Sequence, residues 1–238
     1  MANQMIFQRH ELKYMITVRQ QEEILIALEP YMTADRFGHS SIRNLYYDTP
    51  DFRLIRQSLD RPVYKEKLRM RSYGIAAQTD QVFVELKKKF KSVVYKRRIE
   101  MPQADALESL AFTAPMPDSQ IGREIAAFLS FYGQLAPKVF LSYDRDAFYT
   151  KDNSDFRLTF DKNIRYRTQE LTLSSDAWGT ALLEPGMVLM ELKAQNSIPL
   201  WMAHTLSRLG IQKTSFSKYG TAYMQMLRGS TKGAPQYA

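Results

Sequence analysis

The feature that most constrains this chain is the alternation of charged with aliphatic or aromatic residues along its extended stretches. Successive strand residues point to opposite faces, so a period of two sorts side chains onto two surfaces. In VYKEKLRMRSY, Lys65, Lys67, Arg69 and Arg71 share one face, and Leu68 and Met70 take the other. In VFVELKKKF, Glu85, Lys87 and Lys89 oppose Val82, Val84 and Leu86. Lys96, Arg98 and Glu100 oppose Val93, Tyr95 and Ile99, and Arg157, Thr159 and Asp161 oppose Phe156, Leu158 and Phe160. Glu191 and Lys193 oppose Val188, Met190 and Leu192, while Arg9, Glu11 and Lys13 share a face. An ordinary antiparallel sheet also wets one face. Here the wet face is almost wholly charged, and Glu-x-Lys recurs at Glu11/Lys13, Glu85/Lys87 and Glu191/Lys193. Interleaved bases and acids suit a polyanion with a metal ion. If the strands curl into a barrel with these faces inward, the lumen must stay wet or hold a charged ligand, because unpaired buried charge is costly. A tunnel meets that condition.

About eight period-two segments carry the pattern, near 6–18, 42–48, 62–73, 81–91, 92–101, 138–149, 155–162 and 187–195. Helical spacing predicts three or four helices between them. Gln20 to Leu28 is stopped by Pro30, and Ser119 to Tyr132 is capped by Asp118 or Ser119 and ended by Gly133. A third is capped by Ser197, with Pro199 in its first turn and Gly210 after its last; Ser217 to Leu227 closes the fold. Strands dominate, so the expected class is α+β with an antiparallel sheet. One domain over 1–228 is expected, with a disordered tail from Gly229 to Ala238.

Thirty-three Lys and Arg against 25 acids leave a net charge of +8, which points to an anionic partner. Nucleic acid is not expected, because the bases alternate with aliphatics more than with aromatics that would stack bases. The absence of cysteine excludes a disulfide scaffold and a cysteine-based zinc site or nucleophile. No G-x-G-x-x-G or Walker loop occurs. His10, His39 and His204 have no ligand spacing, and Lys88, Lys89, Lys91 and Arg97 read as a solvated charge run. With no signal pattern and no apolar run near the roughly 20 residues of a membrane span, a cytoplasmic protein is expected.

In the order HELKY, YYDTPDF, KLRMRSYG, VELKKK, SVVYKRRIEM, SYDRDAFY, FRLTFD, MELK and FSKYG, the sequence resembles the VTC (vacuolar transporter chaperone) catalytic domain, within the triphosphate tunnel metalloenzyme superfamily. The likeness covers roughly residues 5 to 228. It implies an eight-stranded antiparallel β-barrel that binds triphosphate or polyphosphate end-on. It also implies a polymerase that moves the ATP γ-phosphoryl group onto inorganic polyphosphate with Mn²⁺ or Mg²⁺. Residue by residue, Lys13, Arg69, Arg71, Lys87, Lys96, Arg145, Arg157 and Lys218 match the catalytic cations, and Glu191 matches the metal-binding glutamate. Tyr143 and Ser217 match substrate-binding positions, and Arg98 and Lys193 join them from the same faces; Tyr143 reads equally well as a core aromatic.

Two departures qualify the likeness. Eukaryotic members carry a lysine two residues before the Ser-Lys, where this chain has Ser215; Lys213 is the nearest candidate to reach in instead. Hydrolase branches carry Glu-x-Glu-x-Lys on the first strand, whose first position is Arg9 here. A polyphosphate sensor without turnover and a metal-dependent tripolyphosphatase remain the alternatives. The sequence names no membrane-protein partner for export.

Overall fold

The computed structural model describes residues 10–232, except 61, 92, 153, 154 and 196, so Arg9 and the tail beyond 232 lie outside it. Along the chain come β1 (His10–Thr17), α1 (Val18–Leu28), β2 (Met32–Asp48), α2 (Arg53–Leu59) and β3 (Tyr64–Tyr73). There follow β4 (Gln81–Phe90), β5 (Val93–Pro102), α3 (Gln103–Leu110), α4 (Gln120–Tyr132), β6 (Ala136–Thr150) and β7 (Arg157–Arg167). Last are β8 (Thr180–Ala181), β9 (Met187–Ala194), α5 (Leu200–Arg208), β10 (Lys213–Thr214) and α6 (Lys218–Lys232). Every strand pairing is antiparallel, in the order β10-β1-β9-β7-β6-β2-β3-β4-β5, with β8 beside β7. The α+β class and the eight long strands agree with the sequence. Among the described residues the backbone ladder stays open between β5 and β1. Side chains bridge the curl instead: Lys87 Nζ of β4 lies 3.7 Å from Glu11 Oε2 of β1.

The apolar faces pack outward as expected. Leu68, Met70, Val82, Val84 and Leu86 meet Ile125, Phe128 and Leu129 of α4. Ile16, Leu158, Met190 and Leu192 meet Ile24 of α1 and Met202 of α5. Helix α6 does not follow this rule. Its Tyr219, Ala222 and Tyr223 pack among Ile42, Tyr46, Leu141, Tyr143 and Leu189, which alternate with outward residues and so face inward. It fills one end of the curl and carries Ser217 and Lys218 to the lumen.

Several boundaries are corrected. Helix α1 starts at Val18, because Thr17 forms a capping box with Gln20. Ser119 caps α4 through Gly122 N, and Gly133 (φ +70) ends it, as predicted. Ser197 does not cap α5, whose first flanking residue is Pro199 with no side-chain cap. Strand β7 runs on to Arg167 past a bulge at Asn163 that breaks the alternation. Helices α2 and α3 escaped the sequence reading because neither has a side-chain cap on its flanking residue. Helix α6 continues to Lys232, so residues 229–232, read as tail, are helical. No described helix is long and apolar enough to cross a membrane.

Candidate active site

The inward faces enclose a cavity of about 630 Å³, within the range of small-molecule sites. Lys13, Arg69, Arg71, Lys87, Lys96, Tyr143, Arg145, Glu191, Lys193, Ser217 and Lys218 all line it. Lys67, Arg97, Tyr46, Tyr219, Glu11 and Glu85 complete its polar lining. Ten cations therefore face three carboxylates. Period-two placement brought the strand residues together, because each strand contributes every second side chain to the same surface; Arg97, next to Lys96, reaches the lining from the other face, and Ser217, Lys218 and Tyr219 arrive with α6.

Two buried carboxylate centres hold the cations. Glu85, 1% exposed, accepts from Arg69 Nε at 2.7 Å, Arg98 Nε at 2.7 Å and Lys96 Nζ at 2.7 Å. Burial alone would raise its pKa, but Arg69, Arg71 and Lys96 hold it well below the carboxylate range. The second centre is Asp161, fully buried, which takes the Arg145 fork at 2.6 and 2.7 Å and Lys218 Nζ at 2.5 Å. Glu191 joins it, 3.2 Å from Lys218, 3.4 Å from Arg145 and 3.6 Å from Lys13. Forked arginines fixed in this way present their remaining N–H groups in set directions.

Contacts between facing walls tie the two centres together. Arg71 Nη2 donates to Tyr143 Oη at 3.1 Å and its Nε to Asn44 Oδ1 at 2.9 Å. Lys67 Nζ donates to Ser217 Oγ at 3.1 Å, and Lys13 Nζ to the Phe216 carbonyl at 2.8 Å. Tyr143 also lies under the Arg145 and Lys218 cations, so it is more than a core aromatic. Burial, with Lys87 and Lys13 close by, lowers the Lys67 pKa to about 7. Burial also takes Lys96 and Lys193 to about 8, against the pull of Glu85 and Glu191. The cavity is thus partly uncharged at neutral pH until an anion enters.

The remaining sequence candidates fall as follows. Arg98 lies on the inner wall, bound to Glu85 and stacked on Phe83 at 4.3 Å, but off the cavity lining. Arg157 is exposed at the start of β7, opposite Lys193 in the ladder and also off the lining. Lys213 does not reach in: it pairs in register with Tyr14, on the outer face, while Thr214 pairs with Lys13. Arg97 is no solvated residue, because its Nε binds Glu124 of α4 at 2.7 Å. Lys88 pairs with Glu66 at 3.7 Å. Lys67 joins the site as well, on the face that its alternation with Leu68 and Met70 marks in the sequence. Tyr46 and Tyr219 gave no signal, since an inward tyrosine looks like a core one.

Among the described residues no three His, Asp or Glu side chains gather into a metal cluster. Glu11 and Glu191 do converge on Lys13, and Thr159 Oγ1, opposite Glu191 in the ladder, is buried without a partner. This all-oxygen set fits Mg²⁺ or Mn²⁺ only where phosphate and water supply the other ligands.

The family model of the VTC domain matches residues 8–227. No curated protein matches the sequence. Among solved structures, a putative adenylate cyclase from Bacillus halodurans superposes with TM-score 0.56 at 15% identity, covering 88% of this chain and 95% of that one. A putative adenylate cyclase from Vibrio parahaemolyticus gives TM-score 0.46 at 14% identity, over 91% and 98% of the two chains. The first superposition shows a shared fold.

Proposed function

The chain belongs to the VTC domain family, and from that membership and the tunnel's charge we propose that it is a polyphosphate polymerase-like phosphotransferase. It would move the ATP γ-phosphoryl group onto the end of a polyphosphate chain. The observation that carries this reading is a cavity where ten basic side chains face three carboxylates. Phosphoryl transfer needs alignment and neutralised phosphate oxygens more than covalent help. Arg69 and Arg145, braced by Glu85 and Asp161, grip phosphate oxygens with their free donors, and Lys13, Lys87, Lys96 and Lys218 add point charges. Tyr143 and Ser217 brace Arg71 and Lys67 from the facing wall. Arg157 receives the chain at the exposed end of β7, beside Lys193. Glu191 and Glu11 would hold Mn²⁺ or Mg²⁺, which would add further neutralisation of phosphate oxygens. A terminal phosphate oxygen of the chain attacks the γ-phosphorus. The new P–O bond forms as the bond to the β–γ bridging oxygen breaks, and ADP leaves with that oxygen. The attacking oxygen is already ionised, so no general base is required.

Incubation with ATP and Mn²⁺, followed by a gel for chains and an assay for free phosphate, tests this. Long chains with little free phosphate are expected. Free phosphate without chains makes the protein a triphosphate hydrolase, and release from tripolyphosphate in a parallel incubation makes it a tripolyphosphatase. Neither product, with tripolyphosphate still bound in calorimetry, makes it a sensor.

A further inference from the structure

A second cavity, of about 300 Å³, lies beside the tunnel wall where β2, β6 and β7 run together. Arg43, Ser142 and Arg165 form a row across it, in register on the three strands. Arg43 leaves β2 on the face opposite Asn44, whose side chain holds Arg71 of the tunnel. Arg43 is only 7% exposed, yet among the described residues its Nε and Nη1 find no hydrogen-bond partner, nor does Ser142 Oγ. Buried donors on a cation are costly to leave unmade, and burial lowers the Arg43 pKa against the pull of Asp176 and Asp144. The β7 bulge sets two residues, one of them Asn163, against a single β6 residue, and Asn163 takes φ +51. Asp144 is thereby fixed: Asn163 Nδ2 donates to its Oδ2 at 2.8 Å, and Ser41 Oγ to its Oδ1 at 2.7 Å.

We propose that this cavity is a second anion site, which takes inorganic phosphate as a protonated oxyanion. Arg43 and Ser142 donate to phosphate oxygens, and Arg165 at the exposed edge adds a second positive charge. Asp144 would repel a fully ionised oxyanion. Each of its oxygens keeps a further acceptor position, so it accepts the P–OH hydrogen of hydrogen phosphate. Sulfate has no such hydrogen at neutral pH. The proposal does not depend on which reaction the tunnel performs.

The test is calorimetry at pH 7 on the whole chain with its tunnel saturated by tripolyphosphate, titrated with inorganic phosphate, sulfate and glycerol phosphate. One equivalent of inorganic phosphate is expected to bind, with sulfate and the ester each weaker by about tenfold or more. Arg43→Met should weaken phosphate by a similar factor, and Ser142→Ala by a few-fold, while tripolyphosphate affinity is unchanged in both. No phosphate binding to the filled protein overturns the site. Equal binding of sulfate overturns the role of Asp144, and equal binding of the ester overturns the assignment to free phosphate. Unchanged binding in Arg43→Met overturns the role of Arg43. If that variant does not fold, Arg165→Ala at its exposed position must weaken phosphate, or the proposal fails.

Discussion

Glu85 touches Arg69, Arg98 and Lys96 from a fully enclosed position, so Glu85→Gln removes the one negative charge that those cations share. Breaking a buried ion network by one partner typically costs about 3–5 kcal/mol, and urea unfolding should show a loss of that order. Tripolyphosphate should then raise the melting temperature of Glu85→Gln more than that of the wild type, because the ligand replaces the missing charge. Lys67 offers a second residue-scale outcome. Its pKa of about 7 in the free protein means that a bound anion, which favours the ammonium, draws a proton onto it above that pH. Affinity through this group is complete below about pH 7 and falls as pH rises towards the higher pKa of the complex. Calorimetry at pH 8 in buffers of different ionisation enthalpy should find proton uptake that is smaller by up to about one proton in Lys67→Arg, the remainder going to Lys96 and Lys193. The cations themselves were legible in the sequence, but their pairing was not. Alternation tells which face a residue takes, and it does not tell whether Glu85 meets a lysine, an arginine or a metal.

At the scale of elements, YYDTPDF proves to be a structural joint. Asp48, fully buried, accepts from Thr49 N, Leu54 N and Ile55 N, at 2.9, 2.8 and 3.0 Å, and from Tyr219 Oη at 2.9 Å. One carboxylate thus caps α2 from outside the helix and ties down the first turn of α6, beside Lys218. Asp48→Ala leaves these buried donors unmade, at about 1–3 kcal/mol each before relaxation. Hydrogen exchange should accelerate at Leu54 and Ile55, and tripolyphosphate affinity should fall although Asp48 touches no ligand. Tyr219→Phe should lose less stability and leave the α2 amides protected. Helix α4 was legible because Ser119 marks its start locally, and α1 because of its apolar spacing before Pro30, although its start at Thr17 was missed. Helix α2 was not, because its cap comes from a residue ahead of its own flanking Phe52.

The described residues form a curled sheet whose first and last long strands do not share a ladder, and the Lys87 and Glu11 side chains reach across the gap. A polyanion that contacts both walls completes the closure. Tripolyphosphate at a hundred times its Kd should stabilise folding by about 2.7 kcal/mol. Exchange protection should rise together in β1 and β5, and both effects should shrink in high salt as the charges are screened. Protection confined to β3 and β4 would show that the ligand rests on one wall only. Strand alternation by itself pointed to the antiparallel class, to one shared charged face and to seven of the ten cations that line the cavity, because a period of two depends only on backbone geometry; Arg145 and Lys218 came from the resemblance to the VTC domain. Tertiary structure alone decided that α6 enters the curl, that Asp161 and Glu85 brace the arginines, that Lys213 faces outward, and that Arg43 is buried beside the tunnel. Each of these depends on a partner distant in sequence, and no local pattern encodes the distance between them.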